Sequence, residues 1–457
     1  MNNNELYLRR KIDRFLLDWK RRDDHMPLII KGARQIGKTR AIHKFAVENY
    51  ENVIEINFAT MTEYRNICKD GYLVDDILRN ISIINPSLEF TPASTLFFFD
   101  ELQAYPAIAT ALKPFHEDGR FDVICSGSMM GVNYHEIESN AVGNKEDYDM
   151  HSLDFEEFLW ALGYQDSQIE DLYHKMQTLE PLSAIEYDTF LRHFRDYIVL
   201  GGMPAIVRSY IINKNFSGTL EAQRQIIRDY EEDITKYAGG LDHAKILQAY
   251  RAIPVFLGNE NKKFQITKLE KGARNREFVG VKDWLVDSGI VNPCYCLNSP
   301  LELPLRGNYD PSNYRLYFGD TGLLIGSLDD EAQDDLRKNK NFNTYKGAVY
   351  ENIVADMLIK SGYHLYFYRN DKGTIEMDFF VRDANSLIPI EVKASDGASA
   401  SLKRLITSDA YPDIKYGIKL GDKNIGYNGQ FYTFPYFLTF LLRRFLSENS
   451  ENRSNIS

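Results

Sequence analysis

The stretch Gly32–Thr39 reads "GARQIGKT" and fits the pattern G-x-x-x-x-G-K-[ST] of a phosphate-binding loop. The apolar run "PLII" precedes it, and the helix-like stretch "KTRAIHKFAVENY" begins at its lysine, so the motif lies where a strand passes into a helix. A glycine-rich turn with a chance lysine is the alternative, but both flanking elements favour the loop. The stretch therefore predicts a nucleotide-binding α/β domain.

Each residue of this loop has an expected part in binding ATP with Mg²⁺. The glycines let backbone N–H groups curl around the phosphates, and the start of the helix adds the positive end of its dipole. Lys38 is expected to reach the β- and γ-phosphates, and the Thr39 hydroxyl is expected to bind Mg²⁺. The residues expected to line the nucleotide are Gly32, Ala33, Arg34, Gln35, Ile36, Gly37, Lys38 and Thr39.

Three further apolar runs follow the loop: "NVIEINF", "TLFFFDE" and "FDVICSGS". Continuous apolar runs of this length fit strands buried on both faces, which predicts a parallel sheet wrapped by helices. The second run ends in Asp100, which can hold Mg²⁺, and Glu101, which can polarise a water for attack on the γ-phosphate. Two acids at a strand end can also form a solvated turn, but their place behind a phosphate loop favours ATP hydrolysis.

The last of these runs ends in the serines Ser126 and Ser128. Either hydroxyl could sense the γ-phosphate or could simply cap the strand end, and the sequence does not choose between these roles. Ser128 is kept as a candidate nucleotide contact. No single arginine is marked by its spacing as an arginine finger.

The composition excludes several classes of protein. The fractions of hydrophobic and charged residues, 44% and 26% of 457, are those of a globular chain, and the net charge of −11 argues against coating nucleic acid or membrane over the whole surface. The four cysteines form no Cys-x-x-Cys pair. The N-terminus lacks the apolar core of a signal peptide, and the longest apolar run is shorter than the roughly 18 residues that span a bilayer. We therefore expect a cytoplasmic protein with no membrane partner.

The pattern along the chain predicts an α/β multidomain fold. The P-loop domain is expected at residues 1–165, and long helical periodicity, broken by a turn at "LGGMP", predicts a helical lid at 166–240. A short strand, a helix, a turn and a second helix resemble a winged helix-turn-helix at 241–330. A final α/β unit is expected at 340–445, and the polar tail 446–457 is expected to be disordered.

The segment Lys262–Lys282 reverses the sign of the chain's charge. It holds seven basic residues and two acids, so its balance is 7 − 2 = +5. Such a reversal is the electrostatic footprint of a protein that contacts the phosphate backbone, and DNA is therefore an expected partner. The alternative is a winged-helix packing module whose lysines are merely solvated.

Two apolar runs near the C-terminal end, "TIEMDFFV" and "LIPIEVKAS", are joined by Asp383–Ser386, which have hairpin-turn chemistry. If these four residues form the loop, Arg382 faces Leu387, and facing residue numbers keep a constant sum along an antiparallel pair. Asp378 then lies directly opposite Glu391. Their carboxylates would be close enough to hold one divalent ion.

Two more side chains complete this candidate metal site. Lys393 shares the face of Glu391 and would orient or activate the attacking water. Glu351 shares a helical stripe with apolar residues, where a carboxylate usually needs a metal or a charged partner. The D…E-x-K grouping is the signature of restriction-endonuclease-like nucleases. The alternative is a set of cross-strand ion pairs, such as Glu376 with Lys393, on a solvated sheet face.

Eight stretches together resemble bacterial and archaeal AAA-superfamily ATPases that carry a C-terminal domain of unknown function 4143 with a restriction-endonuclease-like core. In chain order they are "GARQIGKT", "FFDELQ", "SGS", "LDFEEFLWALG", "LGGMP", "DITKYA", "KGAVYEN" and "IEVKAS". The resemblance implies an AAA-type ATPase domain followed by a nuclease-like domain. Members often show Gly-Arg or Gly-Lys before "DFEEF", whereas this chain has Gly143-Asn144-Lys145. An arginine-finger role is therefore either shifted to Lys145 or weakened.

Two functions follow from these patterns. The first is an ATP-driven switch in which an AAA-type ATPase domain and a helical and winged-helix middle serve a nuclease-like domain acting on or near nucleic acid. The second is a nucleotide-gated regulatory or partner-binding protein whose nuclease-like fold cuts nothing. A homo-oligomer is left open by the sequence.

Overall fold

Two β-sheets organise the chain: a five-stranded sheet in its first third and an eight-stranded sheet built from its second half. The computed structural model describes residues 6–127, 143–238, 242–269, 278, 280–338, 344–370, 372–393 and 399–454.

The five-stranded sheet has the order β2-β3-β4-β1-β5, and every neighbouring pair is parallel. Its strands are β1 (Leu28–Lys31), β2 (Asn52–Asn57), β3 (Thr95–Asp100), β4 (Asp122–Gly127) and β5 (Glu146–Asp149). The first four are the predicted apolar runs, so the prediction of a parallel sheet is confirmed. β5 reads "EDYD" and lies at the edge of the sheet. Because this strand is polar, no apolar run in the sequence predicts it.

Helices cover both faces of this sheet because its strands are apolar on both sides. α1 (Lys11–Arg21) and α2 (Lys38–Asn49) belong to the core on the face of Leu28 and Phe98. α3 (Val74–Ile84) and α4 (Ile108–Asp118) pack with the opposite face, which carries Phe97. The carboxyl ends of the strands therefore stay open at one edge, where β1 leads into the phosphate loop.

Five helices follow the first sheet. They are α5 (Phe155–Ala161), α6 (Asp166–Thr178), α7 (Ala184–Leu200), α8 (Pro204–Asn213) and α9 (Thr219–Tyr237). The predicted turn at "LGGMP" lies between α7 and α8. Its glycines are required, because a Cβ at Gly201 would lie 2.0 Å from the Asp320 carboxylate and one at Gly202 would lie 2.0 Å from the carbonyl oxygen of Leu153.

The segment 241–330 differs from the expected separate winged helix. It contains α10 (His243–Gly258), α11 (Val281–Asp287), β6 (Val291–Leu297), β7 (Tyr309–Phe318) and α12 (Thr321–Gly326). The short strand predicted near residue 264 does not form. The β6–β7 hairpin pairs with the following unit, because β6 runs parallel to β8 (Leu365–Arg369). The predicted boundary at 330–340 is thus crossed by one continuous sheet.

The eight-stranded sheet has the order β12-β13-β11-β10-β9-β8-β6-β7. Its remaining elements are α13 (Ala332–Arg337), α14 (Thr344–Lys360), β9 (Glu376–Arg382), β10 (Leu387–Val392), α15 (Ala400–Thr407), β11 (Gly417–Gly421), β12 (Gly426–Tyr427) and β13 (Phe431–Pro435). Strands β9 and β10 are antiparallel, and Arg382 pairs with Leu387 as the hairpin arithmetic predicts. The Asp383 carboxylate accepts from the backbone N–H of Ser386 at 2.6 Å, which closes the predicted turn.

The C-terminal tail corrects another expectation. α16 (Leu442–Ser454) continues through most of the segment 446–457, which was predicted to be disordered. Phe445 and Leu446 are buried, and Arg444 pairs with Glu448 one turn later at 3.0 Å, so the polar sequence extends a helix that is anchored at its start. Within the described ranges, no helix combines the length and the apolar character required to cross a membrane.

Candidate functional site: two acidic centres

The phosphate loop leaves β1 through residues with left-handed backbone. Gly32 and Gly37 have φ of 147° and 92°, and Gln35 has φ of 64° although it carries a side chain. A Cβ at Gly32 would lie 2.2 Å from the carbonyl oxygen of Met150, so only glycine fits there. α2 then starts at Lys38, and its first N–H groups belong to the loop.

Lys38 lies inside the loop and is 9% exposed. Its ammonium donates to the carbonyl oxygens of Gly32 at 2.9 Å and Ala33 at 2.7 Å. Burial lowers the pKa of Lys38 to about 8, while the carboxylates of Glu101 and Asp100 oppose that shift. The loop therefore holds a cationic group whose charge is poorly solvated, which suits it to an anionic ligand.

Asp100 ends β3 and forms the centre of the candidate Mg²⁺ site. Its Oδ2 accepts from the Thr39 hydroxyl at 3.1 Å and from the Asn57 amide at 3.0 Å, and its Oδ1 accepts from the Ser126 hydroxyl. Carboxylate and hydroxyl oxygens are ligands that Mg²⁺ prefers, so Thr39 and Asp100 fit this ion. Asn57 was missed by the sequence prediction, although it ends β2 directly beside Asp100.

Glu101 follows Asp100 with φ of 57°, a left-handed conformation that costs a residue with a side chain on the order of 1–3 kcal/mol. Its backbone N–H donates to Asp100 Oδ1 at 3.0 Å, which holds the turn. The Gln103 side-chain amide donates to the Glu101 carboxylate. The strained turn thus presents Glu101 beside Asp100, at the edge where a catalytic base is expected.

Two other predicted contacts have different outcomes. Ser128 lies outside the described residues. Lys145 lies just before β5 and donates to the Asp147 carboxylate at 2.8 and 2.9 Å. Because β5 runs parallel to β1, Lys145 is at the amino end of the strands, away from the phosphate loop. Whether an arginine-finger role is shifted to Lys145 or weakened therefore stays a prediction.

A second acidic centre lies on the eight-stranded sheet. The β9–β10 pairing ends where Phe379 pairs with Ile390, one residue before Asp378 and Glu391, so the expectation that these two carboxylates lie opposite each other stays a prediction. Asp378 accepts from the backbone N–H of Val392 at 2.8 Å. Burial and the charge of Glu351 raise the pKa of Asp378 to about 7.

Glu391 and Lys393 form an ion pair on this sheet. The Lys393 ammonium lies 3.0 Å from Glu391 Oε1, whereas the buried Glu391 Oε2 has no hydrogen-bond partner within the described residues. Of the predicted alternative, a set of cross-strand ion pairs, the example of Glu376 with Lys393 is wrong, because Glu376 lies 2.5 Å from Arg315 of β7. Arg369 of the neighbouring strand β8 lies 3.8 Å from the same carboxylate.

Glu351 lies on α14 and is 5% exposed, so it faces the interior as predicted. It accepts from the Lys262 ammonium and from the Tyr317 hydroxyl at 3.3 Å, and Arg315 lies 3.8 Å away. Across the described ranges, no three His, Cys, Asp or Glu side chains converge as a ready metal-binding group. A metal role for Glu351, Asp378 and Glu391 therefore stays a prediction.

Comparison with protein families identifies both regions. A family model described as an AAA domain matches residues 24–159, and one described as a domain of unknown function, DUF4143, matches residues 346–437. The chain combines an AAA-type ATPase domain with a C-terminal DUF4143 domain. A third model, the domain of unknown function DUF8612, matches residues 191–334 of this AAA–DUF4143 chain. No curated protein matches the chain in sequence.

Several solved structures are similar to the AAA–DUF4143 chain at low identity. The Walker-type ATPase PABY2304 of Pyrococcus abyssi is 13% identical, with 70% of this chain and 96% of that one covered, at a TM-score of 0.43. The RuvB Holliday junction branch migration motor of Thermotoga maritima is 12% identical, with 64% and 88% covered, at 0.28. PCH-2 of C. elegans is 10% identical, with 43% and 59% covered, at 0.26. These likenesses concern the fold alone.

Proposed function

We propose that the chain binds ATP with Mg²⁺ at the loop Gly32–Thr39 and hydrolyses it. The observation that carries this proposal is the shared hydrogen-bond system of Thr39, Asp100 and Glu101 at the open edge of the sheet. A buried lysine, a hydroxyl, a metal-binding carboxylate and a second carboxylate are the groups that phosphoryl transfer requires.

Each group has a separate task in this reaction. Lys38 meets the β- and γ-phosphates, and loop N–H groups orient them. Mg²⁺, held by Thr39 and Asp100, supplies charge neutralisation of the phosphate oxygens. The Glu101 carboxylate accepts a proton from the attacking water, and the Gln103 amide, which donates to its Oε2, orients it. Ser126 and Asn57 keep Asp100 oriented.

Glu101→Gln tests the hydrolytic step. The amide keeps the size of the side chain but cannot accept the proton, so phosphate release should fall by at least about a hundredfold, while nucleotide binding is retained. Glu117→Gln is the matched control, because Glu117 is an exposed carboxylate of the same domain, next to Lys113. Unchanged phosphate release by Glu101→Gln would assign the base to another residue.

A second candidate function is metal-dependent cleavage of nucleic acid by the C-terminal centre. The hydrogen bond from the backbone N–H of Val392 to Asp378 supports it, because Val392 lies between Glu391 and Lys393. Here Lys393 would orient a water, and the free Glu391 Oε2 offers a ligand atom. The competing proposal is a regulatory or partner-binding domain that cuts nothing, since Lys262 and Arg315 already neutralise Glu351.

Loss of a DNA substrate, followed with and without Mn²⁺ and ATP, separates these two roles. Cleavage by the wild-type chain that Asp378→Asn abolishes supports the nuclease. Intact DNA under every condition supports the regulatory role.

Contact with DNA is proposed for the basic segment Lys262–Lys282. Lys262 is turned toward Glu351 and Lys282 toward Tyr295, so the contact is proposed for the other basic residues of the segment. Lys263 and Lys268 are among the described residues, whereas Lys271, Arg274 and Arg276 lie outside them. Reversing Lys268, Lys271 and Arg274 to Glu should weaken duplex binding and flatten its salt dependence. Equal binding by the wild-type chain and the triple variant would favour a packing role for this segment.

A further inference from the structure

Three side chains of helix α9 contact Arg34 and Gln35 in the phosphate loop. Asp233 lies 2.5 Å from the Arg34 guanidinium, Asp229 accepts from the Gln35 amide at 2.6 Å, and the Tyr230 hydroxyl donates to the Arg34 carbonyl at 2.9 Å. Asp229 and Asp233, at i and i+4, lie on one side of the helix, and together with Tyr230 they contact two consecutive loop residues.

Asp233 is the most buried charged residue in this grip. It belongs to the "DITKYA" stretch and is 3% exposed. A carboxylate at this depth is costly unless a cation faces it, and the Arg34 guanidinium supplies that cation from the loop. The ion pair therefore ties the position of Arg34, and with it the left-handed residue Gln35, to the position of α9.

The N-terminal end of α9 contacts residues from the second half of the chain. Gln223 Oε1 accepts from the Gln333 amide at 2.6 Å, and Arg224 donates to the Leu328 carbonyl at 3.1 Å and pairs with Asp330 at 2.6 Å. A Cβ at Gly326 would lie 2.7 Å from Gln223 Cβ, so α12 and α9 are in close contact.

Helix α12 is in turn connected to α14. The Asn352 amide donates to the Thr321 hydroxyl at 2.9 Å, and Asn352 Oδ1 accepts from the Phe318 N–H at 2.8 Å. Asn352 follows Glu351 directly. The 19-residue helix α9 thus contacts the phosphate loop and, through α12, the helix α14 that carries Glu351 of the second acidic centre.

We propose that α9 positions the phosphate loop for ATP and transmits nucleotide binding to α12 and α14, with Asp233 and Asp229 as positioning residues. This proposal rests on the proposed ATP binding. An element that stabilises the binding-competent loop raises nucleotide affinity, and by linkage the nucleotide stabilises the contacts of that element.

Calorimetric titration of the full chain with AMP-PNP and Mg²⁺ tests the positioning role. Asp233→Asn removes the charge that holds Arg34 and should raise Kd about tenfold, within the usual range of coupling between sites. Glu232→Gln is the matched control, because it removes an exposed carboxylate of the neighbouring residue and should change Kd less than about twofold. Adding Asp233→Asn to Arg34→Ala should cause no further loss, because the two residues act as a unit.

Hydrogen exchange of the α9 amides tests transmission. AMP-PNP should slow exchange over residues 219–237, 321–326 and 344–360 in the wild-type chain and in Glu232→Gln, but not in Asp233→Asn, a difference that a merely structural aspartate would not produce. If Asp233→Asn fails to fold, Asp229→Asn, which removes the Gln35 contact, gives the same test.

The outcomes separate the two proposals. No binding of AMP-PNP by the wild-type chain would overturn the proposed function and this inference with it. Normal wild-type binding, with equal Kd and equal α9 exchange in Asp233→Asn and Glu232→Gln, would overturn the role of α9 alone.

Discussion

The two acidic centres differ in the groups that face their carboxylates. Asp100 accepts hydrogen bonds from neutral donors, namely two hydroxyls, a side-chain amide and the backbone N–H of Glu101. Glu351 faces an ammonium and a guanidinium, those of Lys262 and Arg315. Neutral donors leave the charge of Asp100 available to a cation, whereas basic partners compete with any cation that approaches Glu351. In the proposed function the first centre receives Mg²⁺, whereas the Glu351 carboxylate of the second already has two basic partners.

Burial shifts one titrating group at each centre toward its neutral form. The pKa of Lys38 is lowered to about 8, and the pKa of Asp378 is raised to about 7. Since both charged forms are penalised by poor solvation, both groups gain from an oppositely charged ligand. The two centres therefore differ in the charge of the groups that contact their carboxylates.

The largest effect is expected from Arg315→Met. Arg315 is 1% exposed and is shared by Glu351 and Glu376, so its removal leaves buried carboxylates with less compensation. Unfolding free energy should fall by about 3–5 kcal/mol, measured by denaturant titration. Arg382→Met, at an exposed arginine of β9, should change it by less than about 0.5 kcal/mol. Equal stability of the two variants would show that Glu351 is not neutralised by its basic neighbours.

A smaller effect is expected when nucleotide affinity is followed against pH. Above pH 8 Lys38 becomes neutral in the free protein, while the phosphates favour its charged form, so binding takes up a proton. Affinity for AMP-PNP should fall as pH rises through 8, by up to about tenfold per pH unit. Calorimetry in buffers of different ionisation enthalpy measures the proton uptake. A flat profile between pH 7 and 9 would mean that burial does not shift Lys38.

The smallest effect concerns divalent ions at the second centre. Mg²⁺ or Mn²⁺ should raise the melting temperature by a few degrees, through binding to Asp378 and Glu391. In Lys262→Met the rise should be larger, because the competing ammonium is gone. Asp378→Asn is the variant that should lose this part of the rise. If Mn²⁺ shifts all three proteins equally, the centre does not bind the ion.

Much of the fold follows from local patterns. The apolar runs predict β1 to β4, and the turn Asp383–Ser386 predicts the β9–β10 register, because both signals lie within a few residues of the feature that they determine. The segment 241–330, which contains the β6–β7 hairpin, was expected to form a winged helix. Its pairing with β8 depends on contacts between distant segments, which composition does not reveal.

The sites divide in the same way. Lys38, Thr39, Asp100 and Glu101 are predictable because the motif and the strand end carry them. The contact between Lys262 and Glu351 joins residues that are 89 positions apart in sequence. The sequence instead assigned Lys262 to the basic segment that is expected to contact DNA. The position of Lys262 depends on how α10, which ends four residues before it, packs beside the eight-stranded sheet. Electrostatic partners from distant segments are thus the part of a site that a sequence pattern conceals.

The central claim is that the phosphate loop binds ATP through the charge of Lys38. Calorimetric titration of the wild-type chain and Lys38→Ala with AMP-PNP and Mg²⁺ tests it most directly. The account predicts one nucleotide bound per wild-type chain and no measurable binding by Lys38→Ala, with both proteins melting cooperatively. Equal affinity of the two proteins would contradict it.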